Sequence, residues 1–145
     1  MRLTQKVVAY IVRDDRIVVF THTDDERPDE SGLQVPAGTV HDGELPERAV
    51  LREAYEETGL DGLRIVRYLG VAEYDMRPYV DQLAIRHFYH LAVDGEVPER
   101  WDHHELGDGD TEPIRFSFYW LSLRQAQVLI GGQGALLGRL FDQWT

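Results

Sequence analysis

Residues 38–60 read GTVHDGELPERAVLREAYEETGL, a short loop that leads into a helix. Pro46 suits a first helical turn, because its ring fixes a helical φ and its missing amide needs no partner there. Residues 47–57 are mostly good helix formers. Gly59 readily adopts the left-handed conformation that ends a helix. The segment therefore predicts a helix that begins at Pro46 and stops at Gly59.

Three glutamates share one face of this predicted helix. At about 100° per residue, Glu53, Glu56 and Glu57 fall within an arc of about 100°. A different arc carries the apolar residues Val50, Leu51, Ala54 and Tyr55. Clustered like charges destabilise a helix, and a hard cation such as Mg²⁺ or Mn²⁺ would remove that cost. The face is therefore a candidate metal site; the alternative is an ordinary solvated acidic surface.

The spacing of the charged and glycine residues is more specific than the acidic face alone. Five residues separate Gly38 from Glu44, and seven separate Glu44 from Arg52. The three glutamates and Gly59 then follow at fixed offsets. This pattern resembles the signature of the Nudix (MutT-like) hydrolases, which cut diphosphate bonds in nucleoside diphosphates linked to another group and use a divalent cation. It departs only at Ala54, where the family usually has Ile, Leu or Val.

The resemblance implies a role for each residue of the motif. It implies three ligands of Mg²⁺ or Mn²⁺, namely Glu53, Glu56 and Glu57. Bound metal would polarise phosphoryl oxygens and activate a water molecule. Arg52 belongs to the candidate catalytic group, although a structural link from the helix to Glu44 and the Gly38 loop is its favoured role. Gly38 would let the backbone approach the metal or phosphate closely.

The general base has three candidates. Some members of the family use a glutamate of the motif, which makes Glu53 the first choice. Others use a glutamate from a late loop, where Glu105 and Glu112 are the alternatives. The neighbouring histidines His103 and His104 do not predict zinc, because adjacent side chains point apart and the chain has no cysteine.

The sequence does not determine which residues outside the motif contact the substrate. Aromatic residues that would suit stacking on a base are Tyr10, Tyr74, Tyr79, Phe88 and Trp101. Arginines that would suit substrate phosphates are Arg27, Arg77, Arg86 and Arg115. Core packing and surface exposure are the ordinary roles of these two groups.

Composition sets the class of protein. The 145 residues, with 43% hydrophobic and 28% charged, predict one globular domain over 1–145. The absence of cysteine excludes disulfides and a thiol nucleophile, which fits a cytoplasmic location. The early apolar run, residues 7–12, is too short for a signal peptide or a membrane span. A net charge of −11 argues against a duplex nucleic acid partner and leaves a small nucleoside diphosphate derivative as the expected one.

Hydrophobic patterning predicts strands at residues 6–13, 16–21, 33–35, 63–74, 82–93 and 114–121. Asp14 and Asp15 read as a turn, and Gly70 as a β-bulge. Residues 24–32 and 95–112 read as acidic loops, and Ser122 with Gln125 as a capping box for a helix to residue 130. Strands on either side of a helix, then a second helix, predict an α/β/α sandwich with a mixed sheet, which the resemblance also implies.

An apolar stripe at helical spacing closes the chain, formed by Leu136, Leu137, Leu140, Phe141 and Trp144. Core packing is its ordinary interpretation, and a homodimer interface is the alternative.

Three functions compete for this sequence. The first is an active Nudix pyrophosphohydrolase, the second a nucleotide-sensing module without turnover, and the third an acidic interaction domain. The complete set of motif glutamates favours the first. Pro36-Ala37-Gly38 resembles a feature of ADP-ribose pyrophosphatases, so ADP-ribose-like compounds are the leading substrate class. Dinucleoside polyphosphates and nucleoside triphosphates follow, and capped RNA is disfavoured.

Overall fold

The computed structural model describes residues 1–22, 32–105, 114–129 and 132–141. Within them, the strands are β1 (Arg2–Arg13), β2 (Arg16–His22), β3 (Ala37–Thr39), β4 (Leu63–Asp75), β5 (Gln82–Val93), β6 (Arg100–Glu105) and β7 (Ile114–Ser122). Helix α1 (Pro46–Thr58) lies between β3 and β4. Two 3₁₀ segments follow β7, at Leu123–Val128 and Leu137–Leu140. No helix in these ranges has the length and apolar character needed to cross a membrane.

The strands form one mixed sheet in the order β4-β5-β1-β2-β7-β6. The β1–β5 pair is parallel, and the other pairs are antiparallel. Strand β1 has two antiparallel partners on the side away from β5. Strand β3 pairs with residues 6–8 of β1, and β2 pairs only with residues 12–13. The predicted mixed sheet is therefore confirmed, and β3 places the start of the glutamate motif beside β1.

Alternating residues of β1 supply two cores, one on each face of the sheet. Val7, Ala9 and Ile11 belong to the core that includes Ala49, Val50 and Ala54 of α1. Val8 and Tyr10 belong to the second core, which the two 3₁₀ segments cover with residues such as Ala126 and Leu140. This burial on both faces gives the layered arrangement expected for the fold.

The secondary structure predicted for two segments was wrong, namely the strand at residues 33–35 and the helix after Ser122. Residues 33–35 contain only an isolated bridge from Gln34 to Phe20, and the strand is β3 instead. The helix expected after Ser122 is the 3₁₀ segment Leu123–Val128, although the Ser122 hydroxyl does accept from the Arg124 amide at 3.3 Å. A capping residue indicates where a helical turn starts, and packing against the sheet decides how many turns follow.

The loop expected over residues 95–112 was wrong in part, because residues 100–105 form β6 against β7. Trp101 and His103 are partly buried, while Arg100, Asp102 and His104 are exposed. This alternation is that of an edge strand whose outer face is charged, a composition that hides it from hydrophobic patterning.

Two local predictions are confirmed. Asp14 and Asp15 form the turn between β1 and β2, with φ of 50° and 61°. Gly70 lies at a register shift between β4 and β5, with φ of 130°.

The apolar stripe near the end of the chain packs largely inward. Leu140 is buried in the second core, and Leu136 and Leu137 pack against it. Phe141 is 45% exposed, and Trp144 lies outside the described residues. Core packing thus accounts for the leucines of the stripe.

Candidate active site

Helix α1 holds the motif on a fixed support. It begins at Pro46, and Gly59 follows its end in the left-handed conformation with φ of 73°. The Gly59 amide donates to the Tyr55 carbonyl at 2.8 Å, which satisfies one of the last carbonyls of the helix. Ala54 is fully buried against the sheet, so the departure from the usual motif falls at a packing position. The helix therefore anchors one face and leaves the glutamate face for other contacts.

Arg52 joins the parts of the motif. Its Nε and Nη2 donate to the two oxygens of Glu44 at 2.9 and 3.0 Å. Nη2 also donates to the Thr39 carbonyl at 2.9 Å. Nη1 reaches Glu53 Oε1 at 2.8 Å and Glu56 Oε2 at 3.3 Å. The guanidinium thus links the helix, β3 and the intervening loop, which are the contacts of a structural link.

Glu44 holds the loop in place from the other side. Its Oε1 accepts from the His41 amide at 3.0 Å as well as from Arg52. Hydrogen bonds from Arg52 and then from the His41 amide lower the pKa of Glu44 to about 2. The carboxylate is therefore charged, and the loop stays attached to the helix, across the neutral pH range.

Glu53 lies directly beneath the backbone of Gly38. Its side chain is only 12% exposed. A Cβ atom added at Gly38 would lie 2.0 Å from the Glu53 Cδ, so a side chain at residue 38 and the observed position of Glu53 exclude each other. Burial raises the pKa of Glu53, and the neighbouring Arg52 opposes that shift. Glycine at this position is thus a requirement for placing the Glu53 carboxylate against β3.

The other two glutamates differ in exposure. Glu57 is 8% exposed, and its Oε2 accepts from the Ala37 amide at 3.2 Å. Glu56 has 45% of its side chain exposed and shares the Nη1 of Arg52 with Glu53. Two carboxylates therefore face β3, and the third faces solvent beside them.

The chemistry of this donor set fits a hard divalent cation. Carboxylate oxygens are preferred ligands of Mg²⁺ and Mn²⁺, and the buried placement of Glu53 and Glu57 limits competition from water. Among the described residues, no three Asp, Glu or His side chains converge closely enough to enclose an ion. Arg52 instead bridges Glu53 and Glu56. The glutamate face therefore supplies suitable ligands, and a bound ion would compete with Arg52 for their oxygens.

The late-loop candidates for the general base are not placed by the structure. Glu105 ends β6, where its backbone pairs with Ile114, and its side chain lies outside the described residues. Glu112 also lies outside them. His103 faces α1, since its ring occupies the space that a side chain at Gly59 would need. His104 is exposed, so the two histidines point apart as expected.

Most of the aromatic candidates belong to the cores. Tyr10 and Phe88 are fully buried. Trp101 stacks on Phe118 with ring centroids 5.2 Å apart, and its Nε1 donates to the Thr58 carbonyl at 2.9 Å. Tyr10 and Phe88 lie in the second core and Trp101 packs against the core that includes α1, so these three residues are not available to a nucleobase. Tyr79 is 93% exposed.

One residue that the sequence analysis missed lies beside the motif. The Lys6 ammonium donates to Thr39 Oγ1 at 2.7 Å. Arg86 lies next to Lys6 across the parallel β1–β5 pair and stacks over Tyr74, 4.2 Å from the ring centroid. The alternation of side chains along each strand predicts which residues share a face within that strand. Only the register between β1 and β5 shows that Lys6 and Arg86 are neighbours.

Comparison with known proteins agrees with this geometry. Residues 3–137 match the family model of the NUDIX domain. A UDP-X diphosphatase structure is similar, with 17% identity and a TM-score of 0.66 over 100% of this chain, which spans 66% of that chain. The MutT NUDIX hydrolase from Burkholderia pseudomallei shares 22% identity, with a TM-score of 0.63 over 97% of this chain and 99% of that chain. The MutT protein from Methanosarcina mazei Go1 shares 19%, with a TM-score of 0.67 over 99% and 95% of the two chains.

The structural neighbours share the fold at low identity, whereas the family match extends over most of the sequence. That match includes the whole motif from Gly38 to Gly59 and the strands that support it. This protein therefore belongs to the NUDIX family of hydrolases.

Proposed function

We propose that the protein hydrolyses a diphosphate bond in a nucleoside diphosphate linked to another group, with the help of Mg²⁺ or Mn²⁺. The observation that carries this proposal is the placement of Glu53 and Glu57 against β3. Both carboxylates are largely buried, and they meet the backbone at Gly38 and at the Ala37 amide. Burying carboxylates is costly unless positive charge and hydrogen bonds stabilise them, and a divalent cation would add such charge.

The residues of the motif divide the work. The oxygens of Glu53, Glu56 and Glu57 would hold the ion. When bound, the ion supplies polarisation of phosphoryl oxygens and a more acidic water molecule. Arg52 positions Glu53 and Glu56 through its Nη1 and ties them to the loop through Glu44. Gly38, which lacks a side chain, leaves room for the Glu53 carboxylate against β3.

Glu53 is the proposed general base. Its carboxylate lies against Gly38 of β3 and is largely shielded from solvent, and the resemblance to the family makes it the first choice. Glu105 and Glu112 are the alternatives from the sequence. Gln variants of these three residues separate them, because loss of the base lowers kcat far more than loss of a surface charge.

The proposed substrates are compact diphosphates. ADP-ribose-like compounds lead, from Pro36-Ala37-Gly38, followed by dinucleoside polyphosphates and nucleoside triphosphates. One similar structure is a UDP-X diphosphatase, which adds a UDP-linked compound to the set worth testing. A long polyanion is disfavoured, because the chain carries a net charge of −11 and its segments 24–32 and 95–112 are rich in Asp and Glu.

A substrate panel tests the proposal. ADP-ribose, a UDP-sugar, a dinucleoside tetraphosphate, a nucleoside triphosphate and a capped oligonucleotide are compared at equal concentration with Mg²⁺, and products are identified by chromatography. The Glu57→Gln protein serves as the matched control for contaminating activity. We expect cleavage of at least one compact diphosphate. Binding of nucleotides without cleavage would instead support the sensing module, and a clear preference for the capped oligonucleotide would contradict the argument from charge.

A further inference from the structure

Lys6 and Arg86 form a pair of cations on one face of the sheet. They are Cα partners in the parallel β1–β5 register, so their side chains leave the sheet on the same side. Both are partly buried. Lys6 is also the only lysine in the 145-residue sequence, whose other basic residues apart from histidine are all arginines.

This pair adjoins the glutamate motif across β3. The Lys6 ammonium donates to Thr39 Oγ1 at 2.7 Å, and the carbonyl of the same Thr39 accepts from Arg52 at 2.9 Å. Glu53 lies near enough to stabilise the charge of Lys6. The strand β3 therefore has the carboxylates and Arg52 on one side and the Lys6–Arg86 pair on the other.

Burial disfavours the charge on both residues of the pair. Burial lowers the pKa of Lys6, and the neighbouring charge of Arg86 lowers it further. Burial also lowers the pKa of Arg86. An anion placed between Lys6 and Arg86 would offset both the burial and the repulsion.

Arg52 is already occupied by other parts of the motif. Its Nε, Nη1 and Nη2 donate to Glu44, Glu53, Glu56 and Thr39. Any side-chain positive charge that a substrate phosphate meets, beyond a bound metal ion, must therefore come from other residues. Arg86 is held over the Tyr74 ring, 4.2 Å from its centroid, and a Cβ added at Gly132 would lie within 3.4 Å of both residues. This packing fixes the direction of the guanidinium before a ligand arrives.

We propose that Lys6 and Arg86 bind a phosphate group of the substrate on the side of β3 opposite Arg52. The inference rests on the proposed diphosphate hydrolysis and adds the residues that select an anionic substrate. Lys6 supplies a point charge and three donors, and Arg86 supplies a planar pair of donors. They act in substrate binding, so their loss affects KM more than kcat.

Kinetics of Lys6→Gln and Arg86→Gln test this assignment. Removing either charge-assisted hydrogen bond to the phosphate should raise KM about 10-fold to 100-fold, with a smaller change in kcat. Lys6→Arg and Arg86→Lys should recover part of the affinity, because the charge remains. Arg64→Gln is the matched control, since Arg64 is exposed and paired with Asp94. A KM within twofold of the wild type in both Gln variants would contradict the inference.

A labelling experiment on the unaltered protein provides the second test. Lys6 and the amino terminus are the chain's two aliphatic amines, and the amino group of Met1 lies near Asp81 instead of the site. Inorganic pyrophosphate with Mg²⁺ should slow acylation of Lys6 at least severalfold and leave that of Met1 unchanged, as read by peptide mass spectrometry. An unchanged rate at Lys6, or equal slowing of both amines, would overturn the inference. If no panel compound is cleaved, the proposed function itself fails; cleavage with unprotected Lys6 counts against this inference alone.

Discussion

Gly38 and Glu53 depend on each other for their positions. The Glu53 carboxyl group occupies the space where a side chain of residue 38 would begin. A substituent there must displace the end of a flexible side chain and not the backbone. The cost should therefore appear in the chemistry of the site and much less in the stability of the fold.

Gly38→Ala tests this dependence. We expect the free energy of unfolding to stay within about 1 kcal/mol of the wild type, because alanine also restricts the unfolded chain. Hydrolysis should fall by about 100-fold, since a carboxylate displaced by about 1 Å no longer meets the reacting group. Gly138→Ala is the matched control, as a Cβ there meets nothing within 4 Å. Unchanged turnover in Gly38→Ala would show that Glu53 does not need its observed position.

At the scale of single residues, the sequence predicted the arrangement of the motif but not the burial or the neighbours of its side chains. The spacing from Gly38 to Gly59 predicted which carboxylates share a face, because helix geometry alone sets that. It did not predict that Glu53 and Glu57 are buried while Glu56 is exposed, since burial depends on β3 lying over the helix. Lys6 was missed because a lone strand lysine has no local signal; its significance comes from the register with Arg86.

The elements around the site are connected through a few polar contacts. Arg52 links α1 to Glu44 in the loop and to the carbonyl of Thr39 in β3. The Trp101 indole links β6 to the end of α1 through the Thr58 carbonyl. Both contacts join elements that are distant in sequence, and each makes a separate prediction about stability.

The Glu44–Arg52 contact predicts a specific loss of stability in acid. The pKa of Glu44 is lowered to about 2 from an ordinary value of 4.5. Because the carboxyl group has a lower pKa in the folded protein than in the unfolded chain, its ionised form stabilises the fold at pH values above the unfolded pKa. That stabilisation is lost as the pH falls from about 4.5 to about 2. Thermal unfolding of Glu44→Gln should therefore depend less on pH in this window than that of the wild type. The exposed Glu96→Gln serves as control, and parallel curves for Glu44→Gln and the wild type would contradict the prediction.

The contact of β6 with α1 predicts the effect of removing one hydrogen bond. Trp101→Phe keeps a ring against Phe118 but loses the donor to Thr58, so unfolding should become easier by about 0.5–1.5 kcal/mol. Chemical denaturation measures this as a lower midpoint at an unchanged slope. Trp120→Phe, which loses an exposed bond to the Pro98 carbonyl, should have a smaller effect. An equal or larger effect at Trp120 would mean that β6 does not stabilise α1.

The sequence predicted strands and helices best where burial on one or both faces gives the hydrophobic residues a clear periodicity. Strands β1, β5 and β7 and helix α1 were predicted within a few residues. Strand β6 was missed because its outward residues are charged and its inward residues include a histidine. The 3₁₀ segments after β7 were predicted as helix, since capping and spacing do not distinguish one type of turn from the other.

Across the whole molecule, the distribution of charge fits the proposed metal-bound anionic substrate. The chain carries a net charge of −11, yet its only lysine lies partly buried beside Arg86 and the glutamate motif. A free anion would be repelled by such a protein, so affinity must come from local positive charge. The family match and the sheet with its two cores agree with this interpretation at the level of the fold.

The central claim is that the buried glutamates act through a divalent cation, and a metal titration of turnover tests it most directly. Hydrolysis of a confirmed panel substrate is measured with Mg²⁺, with Mn²⁺ and with excess chelator, for the wild type and for Glu57→Gln. We expect no wild-type activity in chelator and full recovery on adding metal. Glu57→Gln should lose about 100-fold in kcat at saturating metal while its thermal midpoint stays unchanged. Full activity in chelator, or an unaltered rate in Glu57→Gln, would contradict the account.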